Sequence, residues 1–414
     1  MLNREVDFKL FIAVFLLIIF GMIMISSVSV YGSFKVTSQT TGSSEDAYNY
    51  FYVFRNIIHV IIAMVMLLFV VKIPYTIFEK YAKVIFGGSL FLMILLFLIG
   101  ENYNGATGWI KLPGIPFLLQ PVEFLKLGVI IFLGYFFKKQ KSKIHTFQDG
   151  FVPFMAFLIG IVIILGLQPD FGSVMIIAPI MTMMFFIAGA RIKYLAIFFL
   201  FGIILISSVY SLGKYDKTNE IAIKETRTKL SYITDRIDNF LTDEKDSIKN
   251  KTINYQTEQA LIAIGSGGFF GLGFGNSIQK FGYLPEVQGD FIFSVIIEEL
   301  GFIGGLILLG FYFFIGYRGY LISLNSNDLF AKYVSFGITT WILTQACVNI
   351  GVNLNIIPLT GLTLPFISYG GSSLISLTLG LGILLNISRY VEEDKVSFGL
   401  KRRSSFTSGK VNLY

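Results

Sequence analysis

Few side chains in this chain could move a proton or hold an anion, and most of them lie in or beside apolar runs. Glu123 and Lys126 stand three apart in one such run, on one helical face and within pairing distance. Ionisable groups in that setting are costly and face cavities or partners. The pair therefore reads either as a buried ion pair that fixes packing or as the polar wall of a substrate cavity. Asp170, in QPDFGS between Pro169 and Gly172, reads as the N-cap of the next helix or as a binding residue. Glu298 and Glu299 precede Gly301 and Gly305, whose GxxxG spacing lets a neighbouring helix approach, and read mainly as interhelical hydrogen-bonding groups. Asp290 differs from these. It sits where a Gly-rich segment meets an apolar run, beside Phe291, Ile292 and Phe293, and a half-desolvated carboxylate is suited to proton abstraction. Its alternative role is the N-cap of the following helix. Glu286 lies four residues earlier, after Pro285. Trp109 and Lys111 share a short segment with Pro113, Pro116 and Pro121, where the indole is an interface anchor or a ring that stacks on a sugar.

Other chemistries lack their parts. With only His59 and His145, a multi-histidine metal site cannot be assembled. No GxxxxGK loop cradles a phosphate, and Gly271, Gly273 and Gly275 do not follow a strand, which excludes a dinucleotide fingerprint. No Ser-His-Asp or Cys-His set exists, and the single Cys347 cannot form an internal bridge. Catalysis would rest on carboxylates, with Lys or Arg as electrostatic support.

The elements that position these groups must be membrane helices. Hydrophobic residues make up 54% of the 414 and charged residues 14%, too apolar a balance for a soluble globule to bury. The excess of 33 Lys and Arg over 26 Asp and Glu does not argue for nucleic acid, because membrane proteins concentrate cations in cytoplasmic loops. Ten apolar blocks stand near 8–30, 55–71, 83–100, 121–137, 151–167, 172–190, 193–212, 291–317, 332–354 and 372–388. The first is too long for a signal-peptide core and has no cleavage site after it. Lys and Arg crowd alternate short loops and the C-terminal tail, which places both termini on the cytoplasmic side. The expected fold is all-α, a polytopic membrane protein of ten transmembrane helices with a large extracytoplasmic loop, 213–290, between helices 7 and 8. A single membrane domain spans 1–390, and 391–414 is a basic cytoplasmic tail. Within the loop, Lys214 to Lys251 is polar, whereas from Tyr255 a short amphipathic helix (Thr257 to Ile264) leads into a Gly-rich bend against the membrane face or a cavity.

At GWIKLPGIPFLLQPVEFLKL, QPDFGS, QALIAIGSGGFFGLGFGNSIQKFGYLPEVQGDFIFSVIIEELGFIGG and TGLTLPFISYGGSSLISLTLGLGILLNISR, the chain resembles the SEDS family of bacterial cell-wall polymerases. The resemblance runs from about Phe8 to Arg389, and NSIQKFGYLPE and ILLNISR are most similar to the cell-division branch. It implies a peptidoglycan glycosyltransferase that joins lipid II units outside the bacterial cytoplasmic membrane, at the division septum. It places the family's essential aspartate on Asp290, with support from Trp109, Glu123, Lys126 and Glu286. Two departures stand out. The family's His-Thr before the aspartate is Gln288-Gly289 here, and its Arg before the tryptophan is Gly108. Both losses remove polar contacts that could hold a diphosphate or orient the base.

The implied reaction needs a base for the acceptor hydroxyl, which Asp290 would supply, and positive charge for a diphosphate leaving group, from Lys126 or Lys280. These residues point to no particular cofactor, and a divalent cation is left open. Expected partners are a class B penicillin-binding transpeptidase and other divisome membrane proteins, the transpeptidase span packing on Gly301, Gly305, Gly380 and Gly382. The competing function is a flippase for lipid-linked precursor. That transporter would hold its critical carboxylate near the midplane between broken helices, whereas Asp290 falls at the outer boundary.

Overall fold

In the computed structural model, the described residues are 5–43, 46–103, 106–111, 118–168, 170–194, 251–391 and scattered positions between 196 and 211. Asp7 starts α1 (Phe8–Val28) by accepting the Leu10 N–H at 3.0 Å. α2 (Val30–Thr41) follows directly and closes on Gly42 in the left-handed region. α3 (Phe51–Lys72) stops just before Pro74, α4 (Tyr75–Lys80) is one short turn, and α5 (Ala82–Ile99) follows. α6 (Pro121–Lys139) begins with proline at its first position, where no N–H is needed. A π-helical turn, Phe147–Phe151, leads into α7 (Val152–Gly166), and Asp170 caps α8 (Phe171–Ile187). After the undescribed stretch come α9 (Lys251–Gly267), α10 (Ile292–Leu324), α11 (Leu329–Asn353) and α12 (Gly371–Ser388).

Six of the described helices are long and apolar enough to cross a membrane: α1, α3, α5, the Phe147–Gly166 stretch, α10 and α12. α6, α8 and α11 fall on three more of the expected blocks. α6 carries Glu123, Lys126, Lys138 and Lys139, α8 has 17 residues, and α11 is polar along one face. The block 193–212 and the polar loop 214–250 lie largely or wholly outside the described residues, as does the tail beyond Val391.

The core forms where α12 packs on α3, α11 on α10, α6 and α8, and α6 on α5. Three charged ties hold one end of this bundle. Arg318 of α10 reaches Asp7 at 2.6 Å, and Lys138 of α6 bridges Glu79 at 2.8 Å and Asp328 at 2.7 Å.

Three expectations need correction. The segment after α5 is not plain loop in an all-α protein. It folds as a small antiparallel sheet, β1 (Glu101–Tyr103), β2 (Ala106–Lys111) and β3 (Leu118–Leu119), in that order. Thr107, Trp109 and Ile110, types that favour strands, lie in the central strand, and pairing answers backbone groups that no helix takes up. Second, Gly301 does not serve a helix-helix contact. With φ 70° and ψ −171° it breaks α10, and its Cβ position falls 2.3 Å from the Gly271 nitrogen. The chain's own Gly-rich bend docks into the break. Leu272 and Gly273 donate to the Glu298 and Glu299 carbonyls at 2.9 and 3.0 Å, and Phe302 and Ile303 donate to the Gly268 and Phe269 carbonyls at 3.0 and 3.3 Å. Third, the small-residue faces offered to a partner are occupied internally. Gly305 meets Ile297, Gly380 meets Trp341, and Gly382 meets Val70.

Candidate active site beside the first turn of a broken helix

The site is organised by amides that the apolar pattern of α11 concealed. Gln345, Asn349 and Asn353 recur at every fourth residue, so they form one stripe along the helix, and all three are buried. At one end, Asn349 and Asn353 both donate to the Asp290 backbone carbonyl, at 2.8 and 2.9 Å. The Asn353 side-chain oxygen accepts the Ser294 N–H at 3.1 Å and its hydroxyl at 2.6 Å, which ties the first turn of α10 to α11. α10 is therefore held by side chains from a neighbouring helix. Its N-cap position is Phe291, with no side-chain cap bond, so Asp290 is not the N-cap that its position suggested. The half-buried carboxylate faces Gly361, whose Cβ position lies 3.5 Å from Asp290 Oδ2.

At the other end of the stripe lies the predicted ion pair. Lys126 Nζ reaches Glu123 Oε1 at 2.7 Å, with both side chains almost wholly buried. Gln345 Oε1 accepts from the same ammonium at 3.4 Å and from the Trp341 indole at 2.9 Å, while Ser376 donates to Glu123 Oε2 at 3.3 Å. The Lys126 charge also stands 5.9 Å from the Trp341 ring. The pair and Asp290 are two ends of one polar track in an apolar bundle.

The connection 354–370 closes this track. Gln345 Nε2 donates to the Thr363 carbonyl at 3.1 Å, Asn349 donates to the Leu362 carbonyl at 2.6 Å, and the Tyr369 N–H donates to the Gln288 carbonyl at 2.8 Å. Gly361, at φ 75°, lets this connection pass the Asp290 carboxylate. Asp170 caps α8 through Ser173, accepting its N–H at 2.9 Å and hydroxyl at 2.6 Å. The Thr360 carbonyl lies 2.8 Å from where a Gly172 Cβ would stand, so α8 abuts the same connection.

The remaining predicted residues are placed differently. Lys280 is buried in a second cluster. Its ammonium is held by Glu299 at 2.9 Å, Ser27 at 2.9 Å and the Gly275 carbonyl at 2.6 Å. Glu298 accepts from Ser277 and from the Ile278 and Gln279 N–H groups, so both glutamates anchor the Gly-rich bend. Glu286 is exposed at φ 53°, a strained value for a non-glycine residue. Trp109 is half-buried in β2, paired across the sheet with Glu101. At the two departures, the Gln288 carbonyl holds Tyr369, and Gly108 faces open space. Among the described residues no three His, Cys, Asp or Glu side chains converge as a metal-ligand group. Reading by charge overlooked Gln345, Asn349, Asn353, Ser294, Thr363 and Tyr369. The four-residue spacing of three amides within an apolar block was the signal available.

Against known proteins, residues 8–393 match the family model for FtsW, RodA and SpoVE, described as "Cell cycle protein". The chain is 35% identical over 387 residues to "Stage V sporulation protein E" of Bacillus subtilis, covering 93% of this chain and 97% of that protein. It is also 35% identical over 400 residues to "Probable peptidoglycan glycosyltransferase FtsW" of Wigglesworthia glossinidia brevipalpis, covering 96% and 97%. In fold it is similar, at a TM-score of 0.71 and 22% identity, to a chain solved in work on "structural coordination of polymerization and crosslinking by a peptidoglycan synthase complex"; the match covers 95% of this chain and all of that one.

Proposed function

We propose, from the premise that this chain belongs to the FtsW, RodA and SpoVE family of cell cycle proteins, that it is a peptidoglycan glycosyltransferase polymerising lipid II at the outer face of the cytoplasmic membrane during division. The observation that carries the reading is the fixing of Asp290. Its backbone is clamped by Asn349 and Asn353 while its carboxylate stays partly exposed beside Gly361. In the step assigned here, the acceptor hydroxyl oxygen attacks the anomeric carbon of the donor sugar and its proton passes to Asp290. The bond from that carbon to the diphosphate oxygen breaks, and the polyprenyl diphosphate leaves with the electron pair. The carbon inverts, because no second carboxylate acts as nucleophile in this step. The chain crosses the membrane ten times with both termini cytoplasmic, and it works beside a transpeptidase of the penicillin-binding class, since a polymerase site alone cannot cross-link peptides.

One observation favours the flippase reading: α10 is discontinuous at Gly301, as transporter helices often are. The groups freed by that break are bonded to residues 268–273 rather than left open to a cargo, which supports it less. The deciding experiment supplies labelled lipid II to the purified wild-type chain and its transpeptidase partner in detergent, where no bilayer exists to cross. Glycan strands support the polymerase; transport in vesicles with no strands in detergent supports the flippase.

A further inference from the structure

α1 and α10 are tied together at both ends and leave a hollow between the ties. At one end Arg318 of α10 reaches Asp7, the N-cap of α1, at 2.6 Å. At the other, Ser27 of α1 donates to Glu299 of α10 at 2.8 Å. The ties stand about 30 Å apart along α1, close to the thickness of a bilayer's hydrocarbon. Near the Asp7 end lies a cavity of about 470 Å³, lined by Lys9, Ala13 and Leu16 of α1 and by Ile307, Gly310 and Phe314 of α10. The spacing of three, four and seven puts each set on one helical face. Small residues make the hollow: Ala13 is buried in it, and nothing stands within 4 Å of where a Gly310 Cβ would be. Leu16, Ile307 and Phe314 are exposed, on two helices long and apolar enough to cross a membrane, so hydrocarbon rather than water covers the groove.

One charge stands at its mouth. Lys9 is exposed, two residues beyond the Asp7–Arg318 tie that closes this end. Asp7 is taken by Arg318, and Glu5, one turn before Lys9, does not pair with it; among the described residues Lys9 has no salt bridge. From Lys9 to Leu16 the groove runs about 10 Å along α1, from headgroup depth into the apolar layer. A cation over an apolar trough suits a molecule that joins an anion to hydrocarbon. A partner's spanning helix would have to bring a carboxylate into its own apolar run to answer Lys9, which is costly. A zwitterionic lipid carries its own ammonium to compete for the phosphate, whereas an anionic lipid does not.

We propose that this groove binds an anionic phospholipid of the phosphatidylglycerol kind, its acyl chain lying between α1 and α10 and its phosphate on Lys9. The site needs only that these two helices lie in a bilayer, so it stands or falls apart from the polymerase reading. For the test, the full-length chain is placed in phosphatidylcholine nanodiscs with a small fraction of phosphatidylglycerol bearing a photoreactive group at mid-chain, and labelled peptides are mapped by mass spectrometry. Labelling should concentrate on 9–16 and 307–314, above that on the exposed Phe91 and Leu98 face of α5. Unlabelled phosphatidylglycerol should displace it, and the same amount of phosphatidylethanolamine should not. Lys9→Gln should weaken groove labelling by about fivefold, and Lys9→Arg should retain it. Gly310→Leu puts a side chain into open space in the trough, so it should abolish groove labelling and leave α5 unchanged. Groove labelling no stronger than that of α5, displaced equally by both lipids, means ordinary annular lipid and overturns the proposal. Wild-type labelling in Lys9→Gln or in Gly310→Leu does the same. Loss of groove labelling on adding the proposed transpeptidase partner would give the groove to a protein helix instead.

Discussion

Replacing Lys126 by Met keeps most of the buried methylene stem and deletes only the ammonium. The change strips Glu123 Oε1 of its 2.7 Å partner and leaves Glu123 Oε2 with a single 3.3 Å hydroxyl bond from Ser376. Gln345 is less affected, since the Trp341 N–H still reaches its Oε1. Breaking one partner of a buried pair costs about 3–5 kcal/mol, because the remaining carboxylate is neither solvated nor compensated. Converting Glu123 to Gln in the same chain removes that orphaned charge, so the double variant should recover most of the loss, to within about 1–2 kcal/mol of wild type. The assay is thermal unfolding of the purified protein in one detergent for wild type, Lys126→Met and Glu123→Gln/Lys126→Met, with glycan synthesis measured on each well below its melting point. The single variant should melt lowest. A double variant less stable than the single would refute the packing argument. A double variant of normal stability and no activity would move the pair from scaffold to chemistry.

Two further substitutions probe how Asp290 and the bend are held. Gly301→Ala would drive a methyl group to 2.3 Å from the Gly271 nitrogen at a φ of 70°, so it should undock the bend and forfeit its four backbone bonds. The expected cost is at least about 3 kcal/mol, read as a lowered melting point and faster proteolysis within 267–276, whereas Gly310→Ala, in open space on the same helix, should be nearly silent. Asn353→Leu removes the acceptor of the Ser294 hydroxyl, leaves the Ser294 N–H its bond to the Phe291 carbonyl, and takes away one of the two amides on the Asp290 carbonyl. It should lower kcat by about 100-fold through misplacement of the carboxylate, with KM for lipid II little changed; unchanged kcat would remove the clamp from the account.

Much of this arrangement was legible in the residues, though unevenly. The three-residue spacing of Glu123 and Lys126 sufficed to foresee their contact, because helical geometry is local. The capping of α8 by Asp170 was equally local. What could not be foreseen depended on distant segments meeting. Gly301 and Gly305 matched a helix-packing spacing, yet the partner of Gly301 is a bend some thirty residues earlier in the same chain. Lys280 carried the right charge for a diphosphate, but Glu299 and Ser27, from other elements, had already claimed it. The position of Asp290 at the junction of a Gly-rich segment and an apolar run set it apart from the other carboxylates, while the two amides that clamp its carbonyl were hidden within an apolar span.

The central claim is that Asp290 accepts the proton of the attacking hydroxyl, and Asp290→Asn tests it most directly. Asparagine preserves size and most hydrogen bonding, and the clamping bonds run to the backbone carbonyl, which the substitution leaves in place. Glycan chain length and amount should be followed on gels for wild type, Asp290→Asn and Asp290→Ala with labelled lipid II and the proposed transpeptidase partner. Both variants should fold and bind lipid II, with polymerisation reduced by about two to four orders of magnitude. Long glycan strands made at near-normal rate by the Asn variant would contradict the account.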